Sequence, residues 1–350
     1  MRWWDSVNAT NAPVYSMSGW WDGANMLGAI HRHNNLTNPQ NHLVLGPWPH
    51  SGLWNISPNY RKEEDFPFED ELLKFFDHYL KGNPTSIARE AQVYYYTMGE
   101  DAWKSARTWP PDHIEPYKLH LNSHGRLTYE PPQFDFTEVY QVDTTHTSSK
   151  LSRWEMMIEP WTDPKKAYAD RSTQSLKTLA FESFPIGMPL EITGHPQVKL
   201  YLETQEPNAK LFVYLEHVAP NGKIHYITEG MLHLRHRRSQ EYGLPYELVD
   251  QEIPRTYNCE DTLAVEPDVH MLVELDLLPT SYQVPMGHKI RLSIAGADAG
   301  HFPVNYAAPP VYTVSFGPQQ QAELLLPTIP IPENKRDYFD DKDKIPGINW

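Results

Sequence analysis

An aspartate and a histidine, each set in a glycine- and tryptophan-rich pentapeptide, are the residues of this sequence best suited to chemistry. Asp22 lies in Gly19-Trp20-Trp21-Asp22-Gly23, and His50 closes Gly46-Pro47-Trp48-Pro49-His50, 28 positions later. A carboxylate beside an imidazole accepts the proton on one ring nitrogen and fixes the tautomer. The other nitrogen is then free to take a proton from a nucleophile. The nucleophile itself is not visible. A serine on a strand-to-helix elbow needs Gly-x-Ser-x-Gly, and no such pentapeptide occurs in the chain. Ser18 sits on the acid's own loop and cannot serve both roles.

The elements that must position the pair are short. Each pentapeptide follows an apolar run that reads as a strand, Val14 to Met17 and His42 to Leu45, and Asn25 to His33 between them can form a helix. Strand, helix, strand is a βαβ unit with a right-handed crossover and parallel strands. Asp22 and His50 then share the rim at the strands' carboxyl ends, where open α/β sheets place their chemistry. The blander readings are a helix cap for Asp22 and an ordinary loop position for His50.

After His50 comes an aromatic loop, Leu53-Trp54 through Phe66-Pro67-Phe68. Glu69 to Lys81 then has helical spacing, with Leu72, Leu73, Phe75, Phe76, Tyr79 and Leu80 on an apolar face expected to pack on the sheet. Gly82 and Asn83-Pro84 stop it. Two parallel strands cannot bury both faces and leave an unpaired edge, so the rest of the sheet is expected from a longer chain or a second one.

From about residue 90 the period changes to two. Gln92–Thr97 opens the series, followed by Lys118–Leu121, Val198–Glu203, Leu211–Glu216, Ile224–Leu234, Met271–Leu278, Lys289–Ala295, Val311–Phe316 and Glu323–Leu326. Asn221-Gly222 is a hairpin turn. So many strands with so little helix predict a sandwich of antiparallel sheets. Residues 130–190, punctuated by prolines, read as an excursion that packs through Trp154, Met156, Met157 and Trp161. The fold class is thus α/β plus all-β: residues 1–85 in the first unit, 86–330 in the sandwich and 331–350 as an extended tail.

Composition narrows the partners. The chain has 350 residues, 40% hydrophobic and 21% charged, as in a packed globular protein. A net charge of −15 disfavours nucleic acid and anionic membranes. No run approaches the roughly 18 apolar residues of a membrane helix, and Met1 to Asp5 has no signal-peptide core, which favours the cytoplasm. The single cysteine, Cys259, rules out an intrachain disulfide and reads as a surface thiol. No metal or cofactor is expected. His31 and His33 point about 200° apart on a helix and cannot grip one ion from one face. Arg235-His236-Arg237-Arg238 reads as an internal ion-pair site, and Asp298 and His301 as loop residues. Trp20, Trp21 and Trp48 flank the Asp22–His50 pair and either line a substrate pocket or pack under the loops.

Together these motifs resemble the C-terminal part of serine hydrolases of the cocaine esterase, α-amino-acid ester hydrolase and X-prolyl dipeptidyl aminopeptidase group. Gly19 to Gly23 matches that group's acid motif and Gly46 to His50 its histidine motif. Tyr96 to Trp103, Trp109-Pro110-Pro111, Glu191 to Pro196, Thr228-Glu229-Gly230 and Gly287 to Leu292 match its β domain. The resemblance implies an α/β-hydrolase remnant followed by a jelly-roll β-sandwich, with the chain order nucleophile, acid, histidine. It implies a serine hydrolase of ester, amide or peptide bonds, with Asp22 and His50 catalytic and the serine and oxyanion hole supplied by a missing N-terminal segment, from the same gene or a second chain. The other reading is a non-catalytic fragment or binding module whose sandwich contacts substrate or subunits; self-association is compatible with either.

Overall fold

The computed structural model describes residues 3–23, 25–50, 52, 54–58, 66–149, 151–158, 170–240, 243–244, 246–249 and 252–330. Trp161 and the expected tail, 331–350, lie outside the described residues. The first unit contains α1 (Trp3–Thr10), β1 (Tyr15–Trp21), α2 (Asn25–Asn35), β2 (His42–Pro49) and α3 (Phe68–Tyr79). β1 and β2 are parallel, as the spacing predicts, with Tyr15 opposite His42 and Ser18 opposite Leu45.

Alternation along the strands feeds two cores. Trp20, Leu43 and Leu45 point to one face, where Met26, Ala29 and Ile30 of α2 cover them. Val44 and Trp48 point to the other, among Phe66, Phe68, Tyr15 and Met17. Side chains of successive strand residues leave on opposite faces, so strands covered on both sides read as unbroken apolar runs.

The sheet is larger than its two predicted strands. β3 (Val93–Thr97) pairs in parallel with β2, and β4 (Ala102–Ala106) pairs antiparallel with β3. The run expected to open the sandwich therefore extends the first sheet, giving the order β1-β2-β3-β4. Period two identifies a strand but not its partner. Among the described residues, the outer edge of β1 is unpaired.

The α3 expectation needs a second correction. Phe75 is buried, but Leu72, Leu73, Phe76 and Leu80 are between 42% and 77% exposed. The position facing the sheet is taken by Glu71, which accepts from Tyr15 Oη at 2.9 Å and pairs with Lys74 at 2.7 Å. The apolar stripe exists, but no described part of this chain covers it.

The remainder is mostly β, in a mixed system of 13 strands among the described residues. These are β5 (Glu115–Asn122), β6 (Arg126–Thr128), β7 (Phe136–Gln141), β8 (Leu179–Glu182), β9 (Leu190–Gly194), β10 (Gln197–Thr204), β11 (Lys210–Val218), β12 (Ile224–His233), β13 (Met271–Asp276), β14 (Thr280–Val284), β15 (Lys289–Ala295), β16 (Val311–Phe316) and β17 (Glu323–Ile329). β11 and β12 form the predicted hairpin, with Gly222 at φ +84°, a left-handed conformation that suits glycine. This region grips the first sheet directly: Met98 N donates to Ser281 O at 3.0 Å, and Gln283 N to Met98 O at 2.8 Å. Lys104 of β4 reaches Glu191 of β9 at 2.6 Å.

Two buried histidines make the fold acid-sensitive. His217 lies 2.8 Å from His288 Nδ1 and 2.9 Å from Tyr282 Oη, and stacks on His225. Burial, then the neighbouring imidazoles, push its pKa down to about 2. Burial likewise pushes His195 down to about 4. Unfolded histidine titrates near 6.5, so below that pH the unfolded chain binds protons that the native state refuses. Stability should fall as pH drops from about 6.5 toward 4, by up to about 1.4 kcal/mol per unit for each group. Urea midpoints taken at about pH 7 and about pH 5 check this; equal midpoints would contradict it.

Candidate active site

The register delivers Asp22 and His50 to one place. Gly19 faces Gly46, a bulge follows, and Trp21 then faces Pro49, so the next residue of each strand is one of the pair. The glycines make room for Trp48: a Cβ on Gly46 would lie 2.2 Å from its indole, and one on Gly19 2.1 Å from its carbonyl oxygen. Trp48 is in turn packed by Phe66, Phe68 and Trp103, with centroids 5.3, 4.8 and 5.7 Å away. The turn into His50 is thereby anchored.

His50 Nδ1 lies 3.0 Å from Asp22 Oδ1. An ionised carboxylate only accepts, so the proton sits on Nδ1 and Nε2 is left as the acceptor. Two further donors orient the acid. Ser18 Oγ donates to Oδ2 at 3.0 Å, and Asn25 Nδ2 to Oδ1 at 3.0 Å. Asn25 Nδ2 is also 3.0 Å from His50 Nδ1; the carboxylate's need for a donor places the amide nitrogen, not its oxygen, on this side. Asp22 is buried while the His50 side chain is 41% exposed. The charge is held inside and the ring extends toward the surface, where a nucleophile can reach it. The backbone carbonyl of Asp22 accepts from Met26 N at 3.4 Å at the start of α2.

Ser18 and Asn25 are partners that sequence reasoning missed. The three-residue spacing of Asp22 and Asn25 at a helix start was the available signal. Ser18→Ala removes the protein donor to Oδ2 and should cost about 2 kcal/mol, as for a hydrogen bond to a charged group. Denaturant unfolding measures it, and an unchanged midpoint would deny Ser18 this role.

The three tryptophans are buried in this structure. Trp20 donates to Tyr96 O at 2.7 Å and packs on Trp109. Trp21 meets Tyr226 edge-on at 5.6 Å. Trp48 is enclosed by Phe66, Phe68 and Trp103 as above. A cavity of about 650 Å³ lies elsewhere, among His33, Asn38, Gln92, Arg107 and Trp109, and has neither Asp22 nor His50 in its wall. Among the described residues no group of three or more His, Cys, Asp or Glu is arranged to hold a metal ion. The Arg237 guanidinium donates to the carbonyls of Leu234, Leu263 and Ala264. Asp298 anchors its loop through Ser148 N and Tyr214 Oη, and His301 through Ser149 O. Cys259 is exposed. No helix among the described residues is long and apolar enough to cross a membrane.

Comparison with known proteins assigns the family. Residues 85–324 match the X-Pro dipeptidyl-peptidase C-terminal non-catalytic domain. The chain belongs to that family. Residues 2–52, which carry Asp22 and His50, match the X-Pro dipeptidyl-peptidase S15 family. A candidate serine esterase of Mycobacterium bovis is 38% identical over 94% of the chain and 52% of its own length. The cocaine esterase of a Rhodococcus strain is 22% identical over 82% of the chain and 49% of its own length. The chain thus spans about half the length of these curated relatives. A CocE/NonD family hydrolase from Staphylococcus aureus superposes with a TM-score of 0.66 at 16% identity, covering 91% of this chain and 54% of the other, a likeness of fold. The family is of serine-hydrolase type, with esterases and X-Pro peptidases among its members.

Proposed function

We propose that this chain is the acid- and histidine-bearing part of a serine hydrolase that cleaves ester or peptide bonds through an acyl-enzyme. The observation that carries this reading is the 3.0 Å contact between Asp22 Oδ1 and His50 Nδ1 at the shared strand rim. In the reaction His50 Nε2 takes the proton of a serine hydroxyl as its oxygen attacks the substrate carbonyl. The ring then gives that proton to the departing alcohol or amine. Water repeats the sequence on the acyl group and regenerates the serine. Asp22 stays ionised and stabilises the imidazolium formed in each half.

The serine comes from outside this chain, within the same gene product or on a second chain, and completes a triad with Asp22 and His50. Three observations support that source: the missing Gly-x-Ser-x-Gly and, among the described residues, the unpaired edge of β1 and the uncovered apolar stripe of α3. We read the large β system as a jelly-roll sandwich beside this site. The family description "non-catalytic" for residues 85–324 favours a second reading, in which the chain alone only binds.

Hydrolysis of p-nitrophenyl acetate separates the two. The chain alone should show no turnover. The chain co-expressed with a segment bearing Gly-x-Ser-x-Gly should show it, and His50→Ala should lower kcat by about 10⁴-fold or more. Turnover by the chain alone, or His50-independent turnover by the complex, would overturn the proposal.

A further inference from the structure

Two histidines that the reaction does not use, His31 and His195, face the carboxylate of Glu252, in the connection between β12 and β13, and Trp109 backs His195. Both carboxylate oxygens lie close to His31 Nε2, at 2.9 and 3.0 Å. Oε1 is 3.6 Å from His195 Nδ1, and Oε2 accepts from Val249 N at 3.0 Å. An indole N–H can only donate. Trp109 Nε1, 3.2 Å from His195 Nε2, therefore keeps the His195 proton on Nδ1, facing Glu252.

Both arms of this cluster end at the acid. On one side Trp109 packs on Trp20, with centroids 5.3 Å apart, two residues before Asp22. On the other, His31 belongs to α2, whose first residue, Asn25, donates to Asp22. The same β12–β13 connection holds that helix further along. Tyr246 stacks on the His31 ring at 4.4 Å, and Asn35 exchanges two hydrogen bonds with the Glu247 backbone, at 2.9 and 2.7 Å. His31 and Asn35, four residues apart, lie on one helix face. A cavity of about 170 Å³ borders His31, His195, Tyr246 and Glu252, so dense packing does not enforce the contacts.

We infer that Glu252 is a positioning residue through which the region matching a non-catalytic domain clamps the acid's loop, gripping α2 through His31 and β1 through His195, Trp109 and Trp20, and so keeps Asp22 against His50. The inference rests on the reading of Asp22 and His50 as the acid and base.

Hydrogen–deuterium exchange and the ring-nitrogen NMR spectrum of His50, both on the 350-residue chain, test it. Glu252→Leu should speed exchange of α2 amides about ten-fold or more and turn the Nδ1-protonated signature of His50 into a mixture of tautomers, while β10, β11 and β17 keep their protection. Glu252→Gln, which retains an acceptor for His31, should restore most of the α2 protection. If Glu252→Leu does not fold, His31→Leu cuts one arm alone and should loosen α2 without affecting β11. Unchanged α2 exchange, uniform loss of protection across the β strands, or a loosened α2 with an unmoved His50 tautomer would each overturn the positioning role. Failure of the acid–base reading looks different: His50 then lacks the Nδ1 proton in the parent chain, while α2 exchange still responds to Glu252.

Discussion

Asp22→Asn in the completed hydrolase is expected to lower kcat by about 10⁴-fold with KM nearly unchanged. The acid is buried behind the ring, so it contributes to the transition state and not to substrate binding. In the native site its two oxygens receive donors from His50, Asn25 and Ser18. An amide cannot accept all three with both heavy atoms. If its NH₂ takes the Oδ1 position it faces His50 Nδ1 and forces the ring into the Nε2-protonated tautomer, which cannot take a proton from the serine. If the NH₂ takes the Oδ2 position the tautomer survives, but the negative charge that stabilises the imidazolium is gone. Steady-state kinetics on a p-nitrophenyl ester measures the effect. A fall of less than about ten-fold would show that His50 works without its acid.

Gly19→Ala should damage both stability and turnover, although it adds one methyl group and touches no reacting atom. The new Cβ would lie 2.1 Å from the Trp48 carbonyl oxygen and 2.8 Å from the Trp48 Cβ. The first of these is backbone and cannot swing away. β1 and β2 must therefore separate just before the residues that carry the acid and the histidine. Overpacking of this kind costs about 1–3 kcal/mol, and a displacement near 1 Å at a reacting centre costs about 10²-fold in rate. Urea unfolding and kcat/KM measured on one preparation check the pair. Loss of stability with full turnover would mean that strand register does not set the Asp22–His50 contact.

What the sequence revealed and what it concealed follow from the range of the interactions. Asp22 and His50 were legible because each closes a local motif after a strand, and the parallel crossover rule brings those strand ends together. The partners of the acid were partly legible: Asn25 is three residues away at the helix start, whereas Ser18 lies four residues back on β1, before the register shift that follows Gly19. Glu252 was not legible, since 221 positions separate it from His31 and no local pattern marks it. The β3 and α3 expectations failed for a related reason. Alternation at Val93–Thr97 predicts a strand but carries no partner, and the stripe on α3 predicts an apolar face but not what covers it. Glu71, drawn inward by Tyr15 and Lys74, could not be foreseen from helical spacing.

The most direct measurement of the central claim is covalent trapping. A fluorophosphonate reacts with an activated serine, and peptide mass spectrometry then locates the adduct. In the completed hydrolase the adduct is expected on one serine outside these 350 residues, formed about 10³-fold more slowly or worse in His50→Ala. An adduct on Ser18 or any other serine of this chain, or labelling indifferent to His50, would contradict the account.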